Sequence, residues 1–155
     1  MKIHLVAIGQ RMPTWVNQAF NEYAKRLPND YQLILRALSA QKRTKSSNTE
    51  QLIATESLAL ISACPAQSHR IALDRVGRSM NTHDIAKKLN QWHDQSQDIA
   101  ILIGGPEGIS KAHLKQCHSV WSLSDLTLPH PLVRILIAEQ IYRAWSILSN
   151  HPYHR

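Results

Sequence analysis

Several classes of protein are excluded by what this chain lacks. Its two cysteines, Cys64 and Cys117, stand alone, without a Cys-x-x-Cys pair or the His/Cys spacing of a metal site. Reduced thiols in a cytoplasmic protein are therefore expected, and neither a disulfide framework nor a metal or redox centre is. No segment approaches the roughly twenty consecutive apolar residues of a membrane span. The apolar run after Met1 is too short for one, and no signal-peptide cleavage pattern follows it. Internal repeats and low-complexity stretches are missing as well. The glycine turn at Gly104 and Gly105 fits neither G-x-G-x-x-G nor the Walker pattern, because no lysine follows to hold a nucleotide phosphate. At 155 residues, a single domain over 1–155 is expected.

What is present is positive charge. Eighteen Lys and Arg against eleven Asp and Glu give a formal charge of +7, with nine histidines in reserve. That balance favours an acidic partner, nucleic acid above all. The charges are scattered, and the nearest approach to a cluster is Lys42, Arg43 and Lys45 in the polar stretch 39–49. This stretch reads as a mobile loop, either simply solvated or gripping RNA phosphates.

Periodicity supplies the elements. The first nine residues read as a buried strand. Pro13 suits the first position of a helix that carries Trp15, Val16, Ala19, Phe20 and Tyr23 inward and ends near Leu27 and Pro28. A second strand covers 32–38. Thr49 and Glu50 open a helix with Leu52, Ile53, Leu58 and Ile61, stopped by Pro65. Residues 70–74 read as a short strand leading to a polar turn at Gly77. Asn81 or Thr82 caps a helix striped with Ile85, Ala86, Leu89 and Trp92. A fourth strand follows at 99–103, a short helix at 110–116, a fifth strand at 120–123 and the longest helix at 131–148. Strands alternating with helices indicate an α/β fold, a mostly parallel sheet flanked by helices. In such sheets ligands lie beyond the carboxyl ends of the strands. Leu73-Asp74, Gly104-Gly105 and Leu123-Ser124 all fall at such ends, so three loops are expected around one ligand.

Three segments carry the chemistry. In Leu102-Ile103-Gly104-Gly105-Pro106-Glu107-Gly108, adjacent glycines let a ligand approach the backbone, although such a turn also serves structure alone. In Leu123-Ser124-Asp125-Leu126-Thr127-Leu128-Pro129-His130-Pro131, small polar residues offer backbone groups while leucines line an apolar slot suited to a flat heterocycle. The competing reading is a connector in which Pro131 starts the helix. The last segment, Asn150-His151-Pro152-Tyr153-His154-Arg155, unites a stacking ring, titratable imidazoles and a fixed positive charge where a frayed terminus is the default.

Together with Tyr142-Arg143-Ala144-Trp145 and the opening Leu-Val-Ala-Ile-Gly with Met12-Pro13 and Trp15-Val16, these segments resemble the bacterial large-subunit ribosomal RNA pseudouridine N3-methyltransferases, of the SPOUT class. The likeness spans essentially the whole chain. It implies a C-terminal deep trefoil knot within about 99–155, which breaks the usual rule against threaded chains. It also implies a homodimer and S-adenosylmethionine as methyl donor, held by Leu73, Gly104, Leu123, Ser124, Asp125, Leu126, Thr127 and Leu128. The substrate implied is 23S rRNA within the assembled ribosome, at the pseudouridine of the intersubunit stem-loop. Methylation at N3 requires loss of its proton, with His130, His151 and His154 as candidate bases. Arg134, Arg143 and Arg155 are candidate cations for the anionic base, Arg143 being equally able to pair with Glu139. Tyr153 is placed to stack on a flipped base. A knotted methyltransferase acting on transfer RNA, or a non-catalytic ribosome-binding factor, is the alternative.

Overall fold

The computed structural model describes residues 1–155. The most apolar strands occupy the middle of the sheet, because only there are both faces covered. Strand β1 (Lys2–Ile8) and strand β4 (Ile99–Ile103) pair with each other and bury almost every side chain, as parallel strands covered by helices on both faces must. The remaining strands are β2 (Gln32–Leu38), β3 (His69–Ser79) and β5 (Ser119–Ser122). All five are parallel, in the order β2-β1-β4-β3-β5.

Alternate residues of these strands feed two cores. On one face Ile3, Leu5 and Ile101 pack with Phe20 of α1 (Thr14–Ala24), Ile85 and Leu89 of α3 (Thr82–Asp94), and Ile137 and Ile141 of α5 (His130–Leu148). On the other, Val6, Ile8 and Leu102 meet Leu60 of α2 (Thr49–Ala63) and Ile109, just before the single turn of α4 (Lys111–Leu114). Side-chain oxygens of Asn48, Asn81 and Ser110 cap α2, α3 and α4, each satisfying an N–H that the helix leaves free. No helix is long and apolar enough to cross a membrane.

Arg134 fastens the two ends of the chain together. It lies in the first turns of α5 and is 1% exposed, and its Nη2 donates to the carbonyls of Ile8 at 2.7 Å and Gly9 at 2.6 Å. Gly9 takes φ +105°, a conformation that glycine adopts without strain. Burial pulls the proton affinity of Arg134 down. The guanidinium nevertheless remains a cation, neutralised by carbonyl dipoles rather than by a carboxylate.

The structure departs from the sequence expectations at four places. Pro13 precedes α1, in extended backbone with ψ 143°, instead of opening it; Trp15 points outward at 52% exposure, leaving Val16 and Phe20 as the buried face, and the helix stops at Ala24. Leu27 stands before Pro28 and is thereby disfavoured in helical conformation. The buried face of α2 is Glu56, Ser57, Leu60 and Ala63, while Leu58 points outward at 57% exposure. Polar partners set that face: Glu56 binds an arginine and Ser57 Oγ accepts from the Ser110 N–H at 2.9 Å. The stretch 39–49 is tethered through Arg43, as described below. Finally, β3 does not end at Asp74 but bulges and continues. Both Leu73 and Arg78 lie opposite Trp121, so residues 74–77 form the excess loop of the bulge.

Gly77 marks the tightest point of that bulge. A Cβ there would lie 2.6 Å from the carbonyl carbon of Trp121, against backbone that cannot yield. Gly77→Ala is expected to cost about 1–3 kcal/mol, the usual penalty of overpacking, measurable as a lower urea midpoint with unchanged m-value; an unchanged midpoint would show that the bulge is loose.

Candidate active site

The three strand ends anticipated from the sequence do converge. Beyond β3, β4 and β5 lies a cavity of about 400 Å³, within the roughly 300–1,000 Å³ range of small-molecule sites. Leu73, Gly104, Leu123, Ser124, Leu126, Thr127 and Leu128 line it, and so does His130 from the start of α5. Asp125 is not among its lining residues. Arg75, Glu107, Trp121 and Val133 are, although the sequence singles none of them out for that place. Arg75 belongs to the bulge, which reads in the sequence as an ordinary turn, so its place is hidden by the apparent strand end.

One wall is a glycine turn. Gly108 donates to the Gly105 carbonyl at 2.9 Å and adopts φ +83°. A Cβ on Gly104 would lie 2.6 Å from the Gly108 carbonyl carbon and 2.9 Å from Ile109. Bulk at Gly104 therefore breaks the wall before it reaches the cavity. The opposite wall is shaped by a serine: Ser124 Oγ accepts from the Leu126 N–H at 2.9 Å and turns the chain at the mouth, leaving Leu126 72% exposed.

An ion cluster braces the glycine turn from behind. Arg43 Nη1 and Nη2 each donate to a different oxygen of Glu56 at 3.0 Å, and its Nε donates to Glu107 at 3.0 Å. Glu56 is 2% exposed and also accepts from the Gln41 N–H at 2.8 Å. This forked pairing is the strong form of the interaction. It occupies a guanidinium that the sequence leaves free to hold phosphate. Its hydrogen bonds outweigh the opposing effect of burial: they raise the proton affinity of Arg43 and hold Glu107 below the ordinary carboxylate value.

His130 is the titratable imidazole of the cavity. Burial, then the neighbouring cations Arg134 and Arg43, lower its pKa from 6.5, with Glu56 acting in the opposite sense. At neutral pH it is an uncharged ring able to accept a proton.

The C-terminal residues form a second group, elsewhere. Tyr153 sits in a 3-10 turn (Pro152–His154) with its ring 4.6 Å from that of Tyr142, and its hydroxyl donates to Glu139 at 3.1 Å. Arg143 Nε donates to the same carboxylate oxygen at 2.8 Å, and its guanidinium lies 4.9 Å from the Tyr153 ring centroid. His151 Nδ1 accepts from the Tyr153 N–H at 3.3 Å, while His154 Nδ1 is enclosed without a partner. Burial, followed by Tyr23 and Glu139, pushes the Tyr153 phenol up, so it stays protonated. The tail is docked rather than frayed. It is docked, however, away from the start of α5: Tyr153 folds back onto Glu139 and Tyr142, and at about 1.5 Å of rise per residue Glu139 lies roughly 14 Å along the helix from His130. Arg143, Tyr153, His154 and Arg155 are not among the residues that line the cavity of their own chain. No group of three His, Cys, Asp or Glu side chains is arranged to hold a metal ion.

Residues 1–154 match the family described as "Predicted SPOUT methyltransferase". The chain belongs to the SPOUT methyltransferase family. It is similar over its whole length to curated proteins named Ribosomal RNA large subunit methyltransferase H. The relative from Coxiella burnetii (strain Dugway 5J108-111) is 50% identical over 155 residues, covering 100% of both chains. The relative from Thioalkalivibrio sulfidiphilus (strain HL-EbGR7) is 48% identical, covering 100% of this chain and 99% of its own. In this SPOUT methyltransferase the cavity thus lies where the loops after the last three strands of the sheet meet.

Arg43→Met tests the brace. It leaves Glu56 buried without its cation, and a loss of about 2–4 kcal/mol at pH 7 is expected, somewhat below that of a fully buried pair. The Glu107 carboxyl is held below 4.5, so its contribution is present above that pH and lost as the pH falls through its lower folded value. The gap in urea stability between wild type and variant should therefore narrow below about pH 4.5; a gap independent of pH would remove Glu107 from the brace.

Proposed function

We propose that this SPOUT methyltransferase transfers a methyl group from S-adenosylmethionine to N3 of a pseudouridine in 23S rRNA, acting as a cytoplasmic homodimer on the assembled ribosome. The observation that carries the reading is the cavity built by the loops after β3, β4 and β5, in a chain about half identical over its full length to proteins named for ribosomal RNA methylation.

The lining suits the donor. Leu73, Leu123 and Leu128 offer apolar surface for a flat ring, while the turns at Gly104 and Ser124 bring backbone groups to the wall without bulk. The trefoil knot belongs to this proposal, with the segment from β4 to α5 as its threaded part. S-adenosylmethionine supplies an electrophilic methyl group on a positively charged sulfur. The chain must then hold the pseudouridine in line with that methyl group and accept the N3 proton as the N–C bond forms and the methyl–sulfur bond breaks, its electron pair leaving with sulfur as a neutral thioether.

Two imidazoles can take that proton. His130 lines the cavity and is uncharged at neutral pH. His154 carries an enclosed nitrogen without a partner and does not line the cavity of its own chain, so in this proposal the second copy supplies it. Arg155 has no carboxylate partner among the ion pairs and is a cation available for an anionic base, whereas Arg143 is engaged by Glu139. Tyr153 remains a neutral ring for stacking.

The direct test is transfer of labelled methyl to ribosomes that lack the modification, beside free large subunits and transfer RNA. N3-methylpseudouridine formed on ribosomes is the expected product; label on transfer RNA alone, or donor binding without any transfer, would contradict the proposal. A pH profile then separates the imidazoles. With His130 as base, kcat/KM falls as the pH is lowered, on an acid limb centred below 6.5, and His130→Gln removes that limb while His154→Gln keeps it. The opposite pattern would assign the base to His154.

A further inference from the structure

A second cavity, of about 440 Å³, lies between α3 and the edge strand β5. Its charge is one-sided. Arg78, Lys87 and Lys88 line it, all exposed, with Asp84 as the single carboxylate. His69 and His118 stack at 4.5 Å beside them, and His69 also packs 5.0 Å from Trp92. His118 Nδ1 accepts from the Arg70 N–H at 2.9 Å, which leaves its Nε2 as the nitrogen able to donate. At the same place the Ser119 hydroxyl is enclosed and has no hydrogen-bond partner. None of the three cations appears among the ion pairs of the chain.

The position of this groove matters as much as its charge. Trp121 lines both cavities, so they are neighbours across one residue of β5. The bulge of β3 connects them as well, since Arg75 lines the first cavity and Arg78 the second. Three residues of extended chain reach at most about 10 Å. A strand whose base entered the first cavity would therefore meet the second within a short distance. Cations without a carboxylate partner, beside imidazole and indole rings, suit a phosphodiester chain better than an isolated carboxylate.

We propose that the groove between α3 and β5 binds the phosphate backbone of the substrate RNA next to the nucleotide that enters the methyl-donor cavity. This rests on the RNA substrate proposed above. The test removes its charge with Arg78→Gln, Lys87→Gln and Lys88→Gln together, and compares a variant with charge removed from the α4 side, Lys111→Gln with Lys115→Gln. The probe is a stem-loop RNA of the ribosomal large subunit, titrated over a range of salt, with S-adenosylmethionine affinity as a control for folding. The groove variant should bind RNA at least about tenfold more weakly at low salt, with the slope of log K against log salt smaller by about two. The α4 variant should stay close to wild type, and donor affinity should be unchanged in both. Equal losses in the two variants, or RNA binding by the groove variant at the wild-type level, would overturn the groove. Absence of RNA binding by the wild-type protein, on ribosomes as well as on the stem-loop, would overturn both this inference and the RNA substrate.

Discussion

The structure depends on one buried cation. Arg134 stands in the second turn of the last helix yet donates to the carbonyls that end the first strand, closing a contact across 126 residues of chain to Ile8. A guanidinium so enclosed is costly unless its donors are used. Two carbonyls at the carboxyl edge of the sheet take both donors of Nη2, one of them turned toward it by the left-handed Gly9, while Nε is enclosed without a partner. The start of α5 is thereby held over the strand ends, and with it His130 and Val133, which wall the cavity.

The remaining walls follow from the same edge of the sheet. Parallel strands deliver their loops there, and two charged or polar devices then give those loops a shape. Arg43 locks the glycine turn to α2 through Glu56 and Glu107. Ser124 bends the loop that leads to α5. The same helix that opens at the cavity carries the tail away from it, where Tyr153, Arg143 and Glu139 form a closed cluster. In the proposed homodimer, the cavity at the start of α5 in one copy takes its basic, aromatic tail from the other.

Much of this is legible in the sequence because it rests on local signals. Unbroken apolar runs mark β1 and β4, Asn81 marks the start of α3, and the strand ends locate most of the cavity. What is not legible depends on partners distant along the chain. The inward face of α2 is chosen by Arg43 and Ser110, so the apolar residues Leu58 and Ile53 mislead. The bulge at residues 74–77 exists because Trp121 pairs twice with β3, and that conceals Arg75. Asp125 looks equivalent to its neighbours in the loop, but the Ser124 turn takes it out of the lining. Arg134 reads as a cation for the anionic base, since nothing near it in sequence announces the carbonyls it serves.

Mixed dimers test the central claim, that each site joins the cavity of one copy to the tail of another. One subunit carries Gly104→Val, which breaks the cavity wall, and the other lacks residues 153–155; each is expected to be inactive as a homodimer. Isolated heterodimers pair an intact cavity with an intact tail from opposite subunits, and they are predicted to recover about half of the wild-type methyl transfer. Heterodimers as inactive as the two parents would place tail and cavity of the same subunit in one site and contradict the claim.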